Sequence, residues 1–280
     1  MIDAHHHLWD YEAAHYPWMT EAFASIRRRF GPEHLAPLLT ECGVSHTVLV
    51  QSRSGLDETR ALLAVAARTP FIAGVVGWAD LTSDRVDRTL AALRAGAGGA
   101  KLVGIRHQVH DEADPAWLLR PDVQRGLVAV GEAGLAFDLL VRPRELPGAQ
   151  QTVANHPRMR FVVDHLAKPP IRAGDSAAWD AWMPRLAALP NVSCKLSGLV
   201  TEADWHGWTV AQLAPYAERA LSWFGPKRLL FGSDWPVCLV AAPYRDVVAT
   251  AQALLPALSP GDRLDVFGRN AASVYGLKLA

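Results

Sequence analysis

Disulfide chemistry, a charge surplus and a membrane-length apolar run are all missing from this 280-residue sequence. Its three cysteines, Cys42, Cys194 and Cys238, are odd in number and far apart. With no Cys-x-x-Cys pair, a disulfide framework and a cysteine-based zinc knuckle are excluded, and a reducing cytoplasm is the expected setting. Lys and Arg number 28 and Asp and Glu number 28, and the longest basic run is Arg27–Arg29. A nucleic-acid partner held by electrostatics needs a basic surplus or stripe, so none is expected. The longest stretch free of charged residues, 247–261, is interrupted by Pro256 and Pro260 and is too short to span a bilayer, so no membrane partner is expected. Met1-Ile2-Asp3-Ala4-His5 lacks the basic-then-apolar pattern of a secretion signal. No Gly-x-Ser-x-Gly elbow is present. The glycines of 96–101 follow a helix pattern and precede a strand pattern, the reverse of a dinucleotide loop.

What is present is apolar and periodic. Hydrophobic residues make up 50% of the chain, which excludes disorder and permits a large core. Eight short apolar runs stand out: 2–6, 46–50, 71–77, 100–106, 136–141, 160–165, 191–196 and 228–233. Most are apolar on both parities, as strands covered on both faces are. Amphipathic segments lie between them at 57–68, 84–95, 121–133, 143–155, 176–188, 209–223 and 243–255. Thr82-Ser83-Asp84 reads as a cap, Pro121 as a helix opener and Gly134 as a stop. Eight units of about 35 residues predict a (β/α)₈ TIM barrel, with an open doubly wound sheet as the alternative. No linker composition divides the chain, so 1–280 is expected to be a single domain. The aromatic segment 8–33 and the segment 197–208 are long for barrel loops and predict binding loops.

A barrel keeps its chemistry at the C-terminal ends of its strands. Strand one ends in His5-His6-His7, and period-two alternation puts His5 and His7 on one face and His6 on the other. Strand six ends in Asp164-His165, and strand eight in Gly232-Ser233-Asp234-Trp235-Pro236. Taken singly, Asp234 suits a cap and His165 a satisfied core histidine. Together, His5, His7, His165 and Asp234 are three imidazoles and a carboxylate at one end of the predicted barrel.

The order of these motifs resembles the amidohydrolase superfamily. The runs Asp3–Asp10, Tyr16-Pro17-Trp18, Gly104-Ile105-Arg106-His107-Gln108, Asp164–Pro169, Cys194-Lys195-Leu196-Ser197-Gly198 and Phe231–Pro236 resemble its sugar-lactonase branch, which includes L-fuconolactonase- and L-rhamnonolactonase-like enzymes. The resemblance implies a distorted barrel. It implies Asp234 as the base that activates water. It implies that His5, His7 and His165, with Asp234, bind a single divalent ion, zinc before others, or position the lactone carbonyl when none is held. A two-metal centre is not expected, because strand four ends in Arg106-His107 and strand five in Val141-Arg142, with Lys101 at the far end of its strand.

The implied substrate is a small sugar lactone, and the implied enzyme a carboxylic-ester hydrolase. His165 and His107 join Asp234 as expected catalytic groups. Arg106, Gln51, Lys195, Trp18, Trp78 and Trp235 are the expected substrate contacts: guanidinium, amide and ammonium donors for hydroxyls and carboxylate, and aromatic rings for apolar sugar faces. The rival readings are a non-sugar lactonase of the muconolactone or pyrone-dicarboxylate type, a decarboxylase on the same scaffold, and a non-catalytic sugar-binding barrel.

Overall fold

The computed structural model describes residues 1–279. Eight parallel strands lie side by side in chain order: β1 (Ile2–His6), β2 (His46–Val50), β3 (Ile72–Gly77), β4 (Leu102–His107), β5 (Ala136–Leu139), β6 (Phe161–Val163), β7 (Val192–Leu196) and β8 (Leu229–Phe231). The ring closes through a parallel bridge between His6 and Trp235, where the His7 N–H donates to the Trp235 carbonyl at 2.6 Å. This is the (β/α)₈ barrel; seven of the eight predicted runs contain their strands, and the fourth, 100–106, stops one residue short of the end of β4. The register slips within each of the first three pairings, between Asp3 and His6, Thr47 and Val48, and Val75 and Val76, which distorts that side of the ring.

The outer layer holds α1 (Pro32–Cys42), α2 (Leu56–Arg68), α3 (Val86–Ala95), α4 (Pro121–Glu132), α5 (Leu146–Asn155), α6 (Ala177–Ala187), α7 (Leu199–Glu202), α8 (Val210–Phe224) and α9 (Tyr244–Ala253). The chain then runs through α10 (Pro260–Leu264), a π-turn at Asp265–Arg269 and α11 (Asn270–Tyr275). Pro121 opens α4, and Gly134, with φ of +67°, follows its end. Thr82-Ser83-Asp84 does not cap α3. The Thr82 N–H donates to Asp80 Oδ1 and the Arg85 N–H to Ser83 Oγ, so this stretch forms its own turn one residue too early. Helix α1 escaped the periodicity reading because Pro37 interrupts its pattern. Its signals were Pro32 in the first turn and Gly43, at φ of +66°, just past the end.

One apolar cluster draws Ile2, Val48, Val76, Val103, Ala136, Val162 and Leu230 together with Ala271 and Tyr275 of α11. Only the inside of a barrel is common to so many strands, so α11 plugs one end. The larger core lies between the strands and the helices. Among the described residues, no helix is long and apolar enough to cross a membrane.

Candidate active site

At the C-terminal ends of the strands lies a cavity of about 430 Å³. Its floor is built by His7 after β1, Arg106 of β4, His165 after β6 and Asp234 after β8. Both long loops reach it, through Trp18 and Phe23 of 8–33 and Thr201 and Glu202 of 197–208.

Four donor atoms converge on that floor. His5 Nε2 is 3.2 Å from His7 Nε2 and 3.7 Å from Asp234 Oδ1. His7 Nε2 and His165 Nε2 lie 3.3 and 3.9 Å from the same oxygen. His6 turns away to the Thr47 hydroxyl, as alternation requires. Unusual backbone aims two of these groups. Asp234 has φ of +59° and is pinned by its N–H to the His5 carbonyl at 2.8 Å. His165 starts a run of four non-glycine residues, His165 to Lys168, with φ between 50° and 58°. Such residues cost about 1–2 kcal/mol each, so the surroundings must enforce the turn. Leu166 and Ala167 are fully buried, and the Trp179 indole N–H donates to the Leu166 carbonyl at 2.6 Å.

Electrostatics favour neutral His5 and His165 and an ionised Asp234. Burial lowers His165 to about 4, against the raising effect of Asp234 and Asp164. Burial and the Lys195 ammonium hold His5 well below its ordinary value. Burial alone would raise Asp234, but His165, His7 and His5 outweigh it and keep the carboxyl well below the usual range. His7 Nδ1 lies 2.8 Å from the Val50 carbonyl. A carbonyl only accepts, so that nitrogen carries a proton, and Nε2 lies within hydrogen-bond reach of the Asp234 carboxylate at 3.3 Å. A tetrahedral ion with bonds of about 2.0–2.1 Å has ligand edges of about 3.3 Å. The edges among His5, His7 and Asp234 run from 3.2 to 3.7 Å, with His165 Nε2 at 3.9 Å from the same carboxylate oxygen, and nitrogen and oxygen donors of this kind suit zinc. The residues present therefore fit one divalent ion.

A model of the family described as amidohydrolase matches residues 2–277. The chain belongs to the amidohydrolase family. It is 44% identical over 278 residues to the L-fucono-1,5-lactonase of Burkholderia ambifaria, covering 98% of this chain and 94% of that protein. It is 41% identical over 287 residues to the L-fucono-1,5-lactonase of Burkholderia multivorans, covering 99% and 96%. A crystal structure of a Burkholderia multivorans amidohydrolase with bound zinc superposes with a TM-score of 0.94 at 41% identity, over 99% of each chain.

In this amidohydrolase, several expected contacts stand elsewhere. Trp18 and Arg106 line the cavity. Gln51 does not: it is fully buried and braces Arg106, whose Nη2 donates to the Gln51 backbone carbonyl and, at 3.1 Å, to its Oε1. Lys195 neither lines the cavity nor reaches the rim. It is fully buried, 2.6 Å from Asp138 and 2.8 Å from Asp164. His107 is enclosed outside the cavity, its Nδ1 accepting from the Trp78 indole at 3.1 Å and its Nε2 donating to Glu112 at 2.7 Å, with the Trp117 ring stacked 4.2 Å away. That use of Trp78 also explains its distance from the cavity. Trp235 packs edge-on against Phe30 and serves through its carbonyl at the barrel seam. Arg142, at the end of strand five in the sequence, also lines the cavity, whereas sequence reasoning missed Gln108, His110, Lys168 and Glu202 as walls. It also passed over Asp164, which takes Arg106 Nη1 at 2.9 Å. The signal for Asp164, Asp138 and Lys195 was a charge inside an apolar strand, which demands a buried partner.

Proposed function

We propose that this amidohydrolase opens a sugar-derived lactone, of the L-fuconolactone type, to its aldonic acid. The observation that carries this is an ionised carboxylate, Asp234, among three imidazoles on the floor of a sugar-sized cavity. The names of the two 1,5-lactonase relatives support the substrate class. Asp234 takes a proton from a water as that water attacks the lactone carbonyl. Its depressed pKa keeps it ionised at any working pH, and a weak base suffices because a lactone is an activated ester. Arg106 presents a guanidinium to the oxygen that gains charge. Arg106 is already oriented by Asp164 and Gln51, so no reorganisation is required. The ring oxygen leaves as a hydroxyl by taking back the proton that Asp234 removed from the water, and the new carboxylate meets the Arg142 and Lys168 cations on the wall.

His5, His7, His165 and Asp234 would hold a divalent ion, zinc by donor type, and such an ion supplies Lewis acidity at the carbonyl oxygen. The two long loops supply the sugar-facing walls, Trp18 and Phe23 on one side and Thr201 and Glu202 on the other. We further propose that the chain acts as one domain, and that the three free thiols suit a reducing cytoplasm.

The test is a pH-indicator assay of purified protein on L-fucono-, L-rhamnono-, L-galactono- and D-arabinono-lactones, with and without a chelator. Acid release on at least one is expected. No release on any, from zinc-replete protein, refutes the reading.

A further inference from the structure

The two cations on the cavity wall differ in what already holds them. The Arg142 side chain makes no hydrogen bond among the described residues. Lys168 is paired: its Nζ donates to Glu202 Oε1 at 3.0 Å. The two side chains are 19% and 22% exposed, so solvent screens this pair less than one on the open surface. Backbone fixes both partners. Lys168 ends the left-handed run after β6, at φ of +50°, and its N–H donates to the His165 carbonyl at 2.8 Å. Glu202 ends α7, and its carbonyl accepts from the Arg172 N–H at 3.0 Å, which fastens the two loops to each other. Glu202 Oε2 accepts nothing among the described residues.

The wall is balanced in charge. The Asp111 carboxyl is held below its usual range first by the His110 ring, 3.2 Å away, and further by Arg142 and Lys168. Two carboxylates, Asp111 and Glu202, thus share this wall with two cations. The lactone proposed above is uncharged and yields one carboxylate, which Arg142 is free to receive. A ligand with a second carboxylate needs a second free cation. It finds Lys168 with a carboxylate already in place. It must displace Glu202, leaving that charge without its partner, or lie against it as a like charge. A hydroxyl meets no such conflict, because it can accept from Lys168 Nζ and donate to Glu202 Oε2.

We propose that Glu202 is a specificity-determining residue: with Lys168 it forms a subsite for a neutral hydroxyl of the sugar, and it rejects ligands that carry a carboxylate at that place. The inference rests on the sugar-lactone reading and deepens it. The substrate class is the uncharged polyhydroxy lactone, and lactones of sugar diacids are shut out. The rejection is built from a repulsive element, which discriminates against the wrong ligand without adding affinity for the right one. Glutamine at 202 keeps the size of the side chain and an oxygen for the hydroxyl. It removes the charge and frees Lys168.

The test is titration calorimetry of purified protein with L-galactonate and with galactarate. These acids share their hydroxyl configurations and differ only at the far carbon, a primary alcohol in one and a second carboxylate in the other. Wild-type protein is expected to bind L-galactonate about tenfold more tightly, the scale of one charged contact. In Glu202→Gln the galactarate Kd should fall about tenfold while the L-galactonate Kd moves less than about threefold. Equal affinities in wild type, no binding of L-galactonate, or a preference unchanged in Glu202→Gln overturns the proposal. If Glu202→Gln does not fold, the wild-type comparison decides alone. The readout is binding, so the two readings fail separately. Lost preference with acid release intact refutes the subsite, and intact preference with no release on any lactone refutes the lactonase.

Discussion

Gly198→Ala should damage turnover far more than stability. Gly198 has φ of +66°, and a Cβ built there would lie 2.7 Å from His165 Nδ1, 2.8 Å from its Cγ and 2.9 Å from its Cβ. Ordinary contacts begin near 3.4 Å, so the ring has to retreat by about 0.7 Å or more, beyond the roughly 0.5 Å tolerance of a catalytic group. Displacements of that order cost roughly 10²-fold in rate. The positive φ adds about 1–2 kcal/mol of strain. Gly134→Ala separates the two effects, because Gly134 has φ of +67° and nothing within 4 Å of its would-be Cβ. Thermal melts should show both variants destabilised, with Gly198→Ala somewhat the worse. The pH-indicator assay should show kcat lost only in Gly198→Ala. If the two variants turn over alike, His165 does not need its position, and the assignment of that ring to the centre is wrong.

Other expectations follow from the same geometry. Asp234→Asn should keep its melting temperature within a few degrees and lose about 10²–10⁴-fold in kcat; full activity would remove Asp234 as the base. Arg142 lines the cavity and its side chain makes no hydrogen bond among the described residues. Arg142→Met should therefore raise KM about tenfold while kcat holds, and an unchanged KM would take it off the substrate wall. Burial lowers His107 below 6.5, against the pull of Glu112. As pH falls through 6.5 the unfolded chain takes up that proton first, so stability should drop on acidification and be level above. His107→Gln should flatten that slope in urea titrations at pH 5 to 8 and leave turnover little changed; a collapse of kcat would return His107 to the chemistry. Tyr275→Phe strands a buried Asp138 oxygen contact and should cost about 1–3 kcal/mol in the same titrations.

The strands were legible because a parallel barrel buries both faces, and runs such as Val48-Leu49-Val50 and Phe161-Val162-Val163 have no other home. The centre was legible because alternation alone pairs His5 with His7, and because His165 and Asp234 end their strands. The walls were not. Whether a charged residue in a strand points to the mouth or sits beneath it depends on barrel tilt, and on that account Lys195 reads as a substrate contact when it is a buried counter-ion. His107 fails for a local reason. It is the last residue of β4, where Trp78 and Glu112 capture it before it can reach the cavity. His110 and Lys168 come from turns whose path no periodicity encodes.

The seam at His6 and Trp235 sets when this protein can first act. His7 and Asp234, in contact across it, are 227 residues apart in the chain. Closing so long a loop in an unstructured chain costs about 5 kcal/mol from length alone. Neighbouring strands shorten that path one unit at a time, so the seam forms cheaply only after β2 to β7 have paired. A growing or truncated chain therefore carries no partial activity, and no half-barrel holds both the carboxylate and its imidazoles. Onset of catalysis during refolding is a timer for the last pairing, and it should lag behind every spectroscopic sign of secondary structure.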